Sequence, residues 1–382
     1  MAELFKDNLS LEKISTLASC IAEQGVQYKI GFDEDGFQQA LAENCRAQGE
    51  EQWTELSLMQ RLRAAAQALH FIMPQESGAE AAVTALYEND DLSGWLSLVC
   101  CEYIAIHSAL SLSQGLEYLK RITEFFSAEF AIRHFIIKQP EETLEILNTW
   151  LEHENHHVRR LVSEGTRPRL PWGMRLSIFI EQPELVIPLL VALRDDEEEY
   201  VRRSVANHLN DIAKDHPQLI IETAQQWLSE EELALLSAVQ RKQRIKLIRH
   251  ACRTLFKQGE PEVMALFGYM PATDVQCILT SSEVTVPFSG SFEFEMQLTK
   301  TTSKANLLMV DYVMHFQKAN GKQVPKVFKW LDRSFTGTGN EKISRKHSFK
   351  KISTRKYYPG LHKLEVIVNG IKKAQIEFEL LE

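Results

Sequence analysis

The stretch Val158-Arg159-Arg160-Leu161-Val162-Ser163-Glu164 is echoed 43 residues later by Val201-Arg202-Arg203-Ser204-Val205-Ala206-Asn207. Pro140-Glu141 recurs as Pro183-Glu184 at the same offset, and Pro217 and Pro261 follow at similar spacing. Each unit reads as a helix starting near a proline, an acidic turn, and a second helix opening at the Val-Arg-Arg step. A period of roughly 40–47 residues with paired helices is the mark of HEAT and armadillo arrays. Stacked pairs of this kind curve, and their second helices usually line the concave side. The spacing therefore predicts an α-helical HEAT-like repeat solenoid.

Outward from that pair, the helical pattern continues over residues 1–270. Apolar residues recur three and four apart, as in Leu9, Leu11, Ile14, Leu17 and Ile21, or Leu58, Leu62, Ala66 and Leu69. Pro74, Asp90-Asp91 and Pro140 punctuate the helices. Past Gly268-Tyr269-Met270-Pro271 the period changes to that of strands, in Glu283–Pro287, Phe292–Leu298, Met309–Phe316, Leu364–Val368 and Ala374–Phe378. Asn320-Gly321 and Asn369-Gly370 are hairpin turn pairs. Residues 271–382 are thus expected to form an all-β immunoglobulin-like sandwich domain of seven or so strands. It lacks the Cys…Trp…Cys pattern of antibody domains.

Composition is that of an ordinary soluble chain, 44% hydrophobic and 25% charged. No apolar run is long enough for a membrane span. The opening residues Glu3, Lys6 and Asp7 do not resemble a secretory signal. The scattered cysteines Cys20, Cys45, Cys100, Cys101, Cys252 and Cys277 fit buried thiols in a reducing cytoplasm. The formal net charge of −9 conceals a division. Residues 271–382 hold 17 Lys and Arg against 11 Asp and Glu, whereas residues 1–270 hold 26 against 41. A basic tail on an acidic body suits a polyanionic partner better than the mean implies.

Several residues can carry chemistry. Arg160 and Glu164 lie four apart and share a helix face. The repeat offset carries them onto Arg203 and Asn207, and Asp211 extends the stripe by a turn. Arg249, Arg253 and Lys257 read as a basic i, i+4, i+8 stripe in the next unit. Such a surface can hold phosphates and confront a cation, or it is a solvated, salt-bridged face. In Ser163-Glu164-Gly165-Thr166-Arg167-Pro168-Arg169-Leu170-Pro171-Trp172-Gly173, prolines and glycines end the helix. Trp172 can then receive a cationic ring through cation–π attraction, or pack under its loop. Residues 345–358 interleave cations with aromatics, among them Lys350, Lys351, Arg355 and Lys356. They can neutralise phosphates, or protect a strand edge. His153-Glu154-Asn155-His156-His157 matches H-E-x-x-H, but the offset maps it onto the acidic turn Asp196–Tyr200, so no zinc is expected.

With these strings assembled, the chain resembles the AlkC family of DNA alkylation-repair glycosylases, relatives of the AlkD glycosylases. Val158 through Trp172 carries most of the resemblance, supported by Ser204 through Ile212 and by Phe125 through Arg133. Tyr358-Pro359-Gly360-Leu361-His362 and Val368-Asn369-Gly370 look like the immunoglobulin-like domain of one AlkC subgroup. The resemblance implies excision of N-alkylated bases such as 3-methylcytosine and 3-methyladenine from duplex DNA. The positions it carries over are Glu129, Arg160, Glu164, Trp172, Asn207 and Asp211.

An N3-alkylated base is cationic, a leaving group that needs no general acid. Glu164 and Asp211, with Glu129, are expected to offset positive charge and align the attacking water. Trp172 is expected to contact the lesion, while Arg160 and Asn207 hold phosphate or orient carboxylates. Arg203, Arg249, Arg253, Lys257, Lys350, Lys351, Arg355 and Lys356 are the expected DNA contacts. No lysine stands out for Schiff-base chemistry, so the expected product is an abasic site, formed without full base flipping. Neither metal nor cofactor is expected, and the chain is expected to act as a monomer in a bacterial cytoplasm, at the nucleoid when working. The rival readings are a non-catalytic HEAT-repeat scaffold for a protein partner and a DNA-structure binder without glycosylase activity.

Overall fold

The structure is a computed structural model that describes residues 5–352 and 355–382. Glu3 of the opening segment and Ser353 and Thr354 of the basic stretch lie outside the described residues. The chain divides into two compact units. One runs through His216 and includes Glu230–Ala251; the other joins Pro217–Ser229 to Cys252–Glu382. Helices Pro217–Trp227, Arg253–Gln258 and Pro261–Leu266 therefore belong with the second unit, although their periodicity alone places them in the repeat body.

The first unit is a helical repeat region. Leu11–Gly25 buries Ile14, Leu17, Ala18 and Ile21, and Leu58–Ile72 buries Leu62, Ala66 and Leu69, the faces their spacing marks out. Pro140 begins the helix Pro140–Asn148, and Pro183 begins a short 3-10 turn ahead of Ile187–Leu193. The Val-Arg-Arg strings sit in the first turn of His156–Gly165 and Glu199–Ile212. These two second helices pack side by side, and Glu199–Ile212 packs in turn on Ala238–Ala251. No described helix is long and apolar enough to cross a membrane.

The repeated dipeptide has a local cause. Arg159 Nη1 donates to the carbonyls of His153 (2.8 Å) and Glu154 (3.0 Å). One repeat later, Arg202 Nη1 donates to the carbonyls of Asp196 and Glu197. Each first arginine is buried and satisfies backbone oxygens of the turn that precedes its helix. The second arginine of each pair, Arg160 or Arg203, is left for the polar face. Arg159 also forks onto Asp196 of the next unit at 2.7 and 3.0 Å, tying one repeat to its neighbour. His153 lies before the helix that Asn155 caps, so the H-E-x-x-H residues do not share a helix face.

In the second unit, eight strands among the described residues form two sheets. In chain order they are β1 (Val275–Thr280), β2 (Thr285–Val286), β3 (Ser291–Lys300), β4 (Asn306–Gln317), β5 (Gln323–Phe335), β6 (Gly339–Ser348), β7 (Gly360–Val368) and β8 (Ile371–Leu380). The orders are β1-β3-β6 and β2-β8-β7-β4-β5, antiparallel except where β2 runs parallel to β8. Phe292, Phe294, Met296 and Leu298 alternate inward from β3 onto Val310, Tyr312 and Met314 of β4, Leu364 and Val366 of β7, and Phe378. Phe292 and Phe378 stack at 3.9 Å between ring centroids. The result is the β-sandwich its strand spacing predicts.

Candidate active site

Glu164 ends the helix His156–Gly165 only 6% exposed, and Asp211 ends Glu199–Ile212 at 1%. Carboxylates so buried need partners. Ser204 Oγ donates to Glu164 Oε2 at 2.6 Å, and Arg160 Nη2 stands 3.5 Å from Oε1. Arg167 Nη1 reaches the same Oε1 at 2.6 Å. The Nε and Nη2 atoms of Arg167 lie 2.8 Å from Asp211 Oδ2, while Lys214 Nζ takes Oδ1 at 2.8 Å. Burial pushes the Glu164 pKa up, but Arg160, Arg167 and the Ser204 hydroxyl outweigh it, and the net shift is below the ordinary carboxylate value.

Glu129 joins through Arg160, whose Nη1 lies 2.5 Å from Glu129 Oε2 and 2.8 Å from Ser127 Oγ. Ser127 also donates to Glu129 at 2.7 Å, and the Arg160 guanidinium lies over the Tyr200 ring at 4.9 Å. Glu129, Arg160, Glu164, Arg167 and Asp211 thus form one chain of alternating charge. Of the two roles expected for Arg160, its contacts are those of orienting carboxylates.

The loop after Glu164 is suspended from Arg133, a fully buried guanidinium. Its Nη1 donates to the carbonyls of Gly165 (3.0 Å) and Arg167 (2.8 Å), and its Nε to that of Met174 (2.6 Å). Trp172, on this loop, adopts the left-handed φ of +65° and is 59% exposed. Its indole does not pack under the loop; it meets Phe5 at 6.0 Å and Trp95 at 6.4 Å, in an aromatic cluster that continues from Trp95 to Phe126.

The remaining expected positions are dispersed. Asn207 Oδ1 pairs with His250 Nε2 at 3.0 Å, and exposed Arg203 pairs with Glu199 at 2.9 Å. Arg249, Arg253 and Lys257 do not lie on one continuous helix. Ala238–Ala251 stops before Cys252 (φ −83°, ψ 7°), and a new helix, Arg253–Gln258, follows. Arg249 belongs to the first compact unit and the other two to the second. In the second unit, Arg355 lies over Phe316 at 4.3 Å and Lys356 Nζ over Tyr358 at 5.2 Å. With Lys318, Asn320 and Lys326 they line an open groove with no carboxylate among its described residues. Exposed Lys350 and Lys351 follow β6.

Arg167, Arg133, Ser204 and Lys214 escaped sequence reasoning as site residues. Arg167 stands in the quoted motif, three residues beyond Glu164, yet nothing in its spacing reveals that it spans two repeats.

Helical repeats whose adjoining second helices bury linked carboxylates, with an immunoglobulin-like domain at the C-terminal end, define a two-part class of repeat protein. Residues 276–382 match the family model described as the C-terminal Ig-like domain of the uncharacterised protein YhaZ. The chain is 34% identical over 331 residues to YhaZ of Bacillus subtilis (strain 168), covering 86% of this chain and 89% of that one. It is 32% identical to the alkylpurine DNA glycosylase AlkC of Pseudomonas fluorescens, solved bound to DNA containing an abasic site analogue. That likeness covers 100% of both chains with a TM-score of 0.87. The chain belongs to the AlkC family.

Proposed function

We propose that the protein is a monofunctional DNA glycosylase of alkylation repair that releases cationic N3-alkylated bases, such as 3-methylcytosine and 3-methyladenine, from duplex DNA. One observation carries the reading: the Glu129–Arg160–Glu164–Arg167–Asp211 chain, buried at its last three members, beside a loop that carries an exposed tryptophan, in a relative of AlkC.

A base alkylated at N3 leaves as a neutral molecule, so the enzyme supplies charge complementarity to the electron-poor sugar and a placed water. Glu164 and Asp211 face that task as fixed carboxylates, and the Trp172 indole meets the flat cation. Water attacks the anomeric carbon and gives a proton to one of these carboxylates, while the N-glycosidic bond breaks, the neutral base departs with the bonding pair and an abasic site remains. Trp172 is 59% exposed, and in this reading its indole meets the lesion at the surface, without full base flipping. The basic groove of Lys326, Arg355 and Lys356, with Lys350 and Lys351 nearby in sequence, supplies phosphate contacts on the sandwich.

The test is incubation of the pure protein with duplexes carrying 3-methylcytosine or 3-methyladenine, followed by alkaline cleavage of abasic sites. Glu164→Gln and Asp211→Asn are each expected to slow release by roughly 10²-fold or more. Binding to abasic DNA without base release by the wild type would favour a DNA-structure binder instead. Neither binding nor release would favour a scaffold.

A further inference from the structure

Arg167 spans the two second helices. A single guanidinium, 6% exposed, holds Glu164 from one repeat at 2.6 Å and Asp211 from the next at 2.8 Å through two nitrogens. Its backbone is equally constrained, since Arg133 donates to the carbonyls of Gly165 and Arg167 and so fixes the turn on which Arg167 stands. A phosphate ligand needs exposed donors; the donors of Arg167 are turned inward and engaged. Neighbouring Arg169 has the opposite disposition: it forks onto Asp215 at 2.7 Å in a more exposed pair.

Two like carboxylates brought to one patch repel, and the usual relief is that one takes a proton. A planar cation shared between them removes the repulsion and sets their separation, which lysine, a point charge, does less well. We propose that Arg167 is a positioning residue for base excision, a clamp that joins Glu164 and Asp211 into one unit without touching DNA. The assignment rests on the glycosylase reading above and adds to it the group that organises its carboxylates. Each carboxylate keeps a second oxygen outside the clamp, Glu164 Oε2 on Ser204 and Asp211 Oδ1 on the half-exposed Lys214. Asp211 Oδ1 is the oxygen whose partner is most readily exchanged.

Full-length Arg167→Gln, Arg167→Lys and Arg169→Gln are compared by single-turnover excision of 3-methylcytosine, by affinity for abasic-analogue duplex, and by carbon-13 titration of the Glu164 carboxylate. Arg167→Gln is expected to lower the excision rate about 100-fold while affinity stays within about 3-fold, as befits a residue that orients the carboxylates. Arg167→Lys is expected to recover less than about a tenth of the wild-type rate, because it keeps the charge and loses the fork. The Glu164 midpoint is expected to rise by about one unit or more in Arg167→Gln and to stay in place in Arg169→Gln. Wild-type turnover together with an unmoved midpoint in Arg167→Gln overturns the clamp, as does a loss of affinity equal to the loss of rate. Should Arg167→Gln fail to fold, Arg167→Lys decides: full activity overturns the proposal and a slow, DNA-binding variant upholds it. Absence of base release by the wild type defeats the glycosylase reading alone, and the Glu164 titration then decides the clamp.

Discussion

Trp172 holds a left-handed backbone that a bulky side chain rarely takes, at a cost of roughly 1–3 kcal/mol, and spends it on an exposed ring. The proposed contact with the lesion would account for a strained backbone under an exposed ring. Trp172→Gly, which removes the strain, is therefore expected to leave melting stability within about 1 kcal/mol of wild type or above it. Base release by the same variant is expected to fall at least about tenfold, read on the same preparation. Unchanged release would remove Trp172 from the site. The buried carboxylates behave differently, because truncation strands their partners. Glu164→Ala would leave Arg160 and Arg167 short of a counter-charge, at a cost of about 3 kcal/mol or more, so an activity loss in alanine would be confounded by unfolding. Glutamine is the better probe for that reason. At this scale four members of the candidate network were legible, since Glu129, Arg160, Glu164 and Asp211 are linked in one chain of ion pairs while Asn207 and Trp172 lie outside it. Arg167 was not, since its donors cross between repeats.

Helices betray themselves by period, and both helices that carry a Val-Arg-Arg string begin two residues before it. The strands were legible only in part. Runs belonging to β2, β3, β4, β7 and β8 stand out in the sequence; β1, β5 and β6 do not. All three are edge strands, and β5 is exposed along most of its length, so no apolar alternation marks it. The hairpin pair Asn369-Gly370 is unambiguous because its geometry demands it, whereas at Asn320-Gly321 only the glycine takes a positive φ. Asn369 and Gly370, between β7 and β8, have φ of +46° and +77°, the paired positive values of a tight hairpin turn. A Cβ on Gly370 would stand 2.7 Å from the Gly259 carbonyl oxygen, within the same compact unit. Gly370→Ala is thus expected to destabilise the second unit by about 2 kcal/mol, seen as an earlier denaturant midpoint in its tryptophan signal. A midpoint equal to wild type would show that the turn relaxes freely.

For the molecule as a whole, charge division and buried histidines govern behaviour in solution. His208 is fully buried; burial first, then Arg167 and Arg133, holds its pKa down at about 3. In the sandwich, burial and then Arg355 and Arg345 bring His347 to about 4. The unfolded imidazole takes its proton near pH 6.5, whereas the folded ones refuse it. The stability these neutral histidines confer is whole above about pH 6.5 and drains as pH falls toward their folded values, by about 1.4 kcal/mol per unit per group. Glu164 adds loss only lower down, since its depressed pKa lets go as pH drops below about 4.5. Denaturant titrations from pH 7 to 5 are expected to show this slope, flattened in His208→Gln; an equal slope in both would refute it. Replacing Lys326, Lys350, Lys351 and Lys356 by glutamine is expected to weaken duplex binding and lower the salt slope, by about 0.9 for each phosphate no longer neutralised. An unchanged slope would take the sandwich out of DNA binding. The amino-acid order alone determined that two helices repeat every 43 residues, that a strand domain follows, and which acidic side chains occupy equivalent faces, because periodicity and turn chemistry act over a few residues. Only tertiary structure decided that Glu164 and Asp211 share Arg167, that helices of the repeat pattern join the second unit, and that β1, β5 and β6 complete the sheets. Those outcomes depend on burial and hydrogen bonding between segments tens of residues apart, where no local pattern reaches.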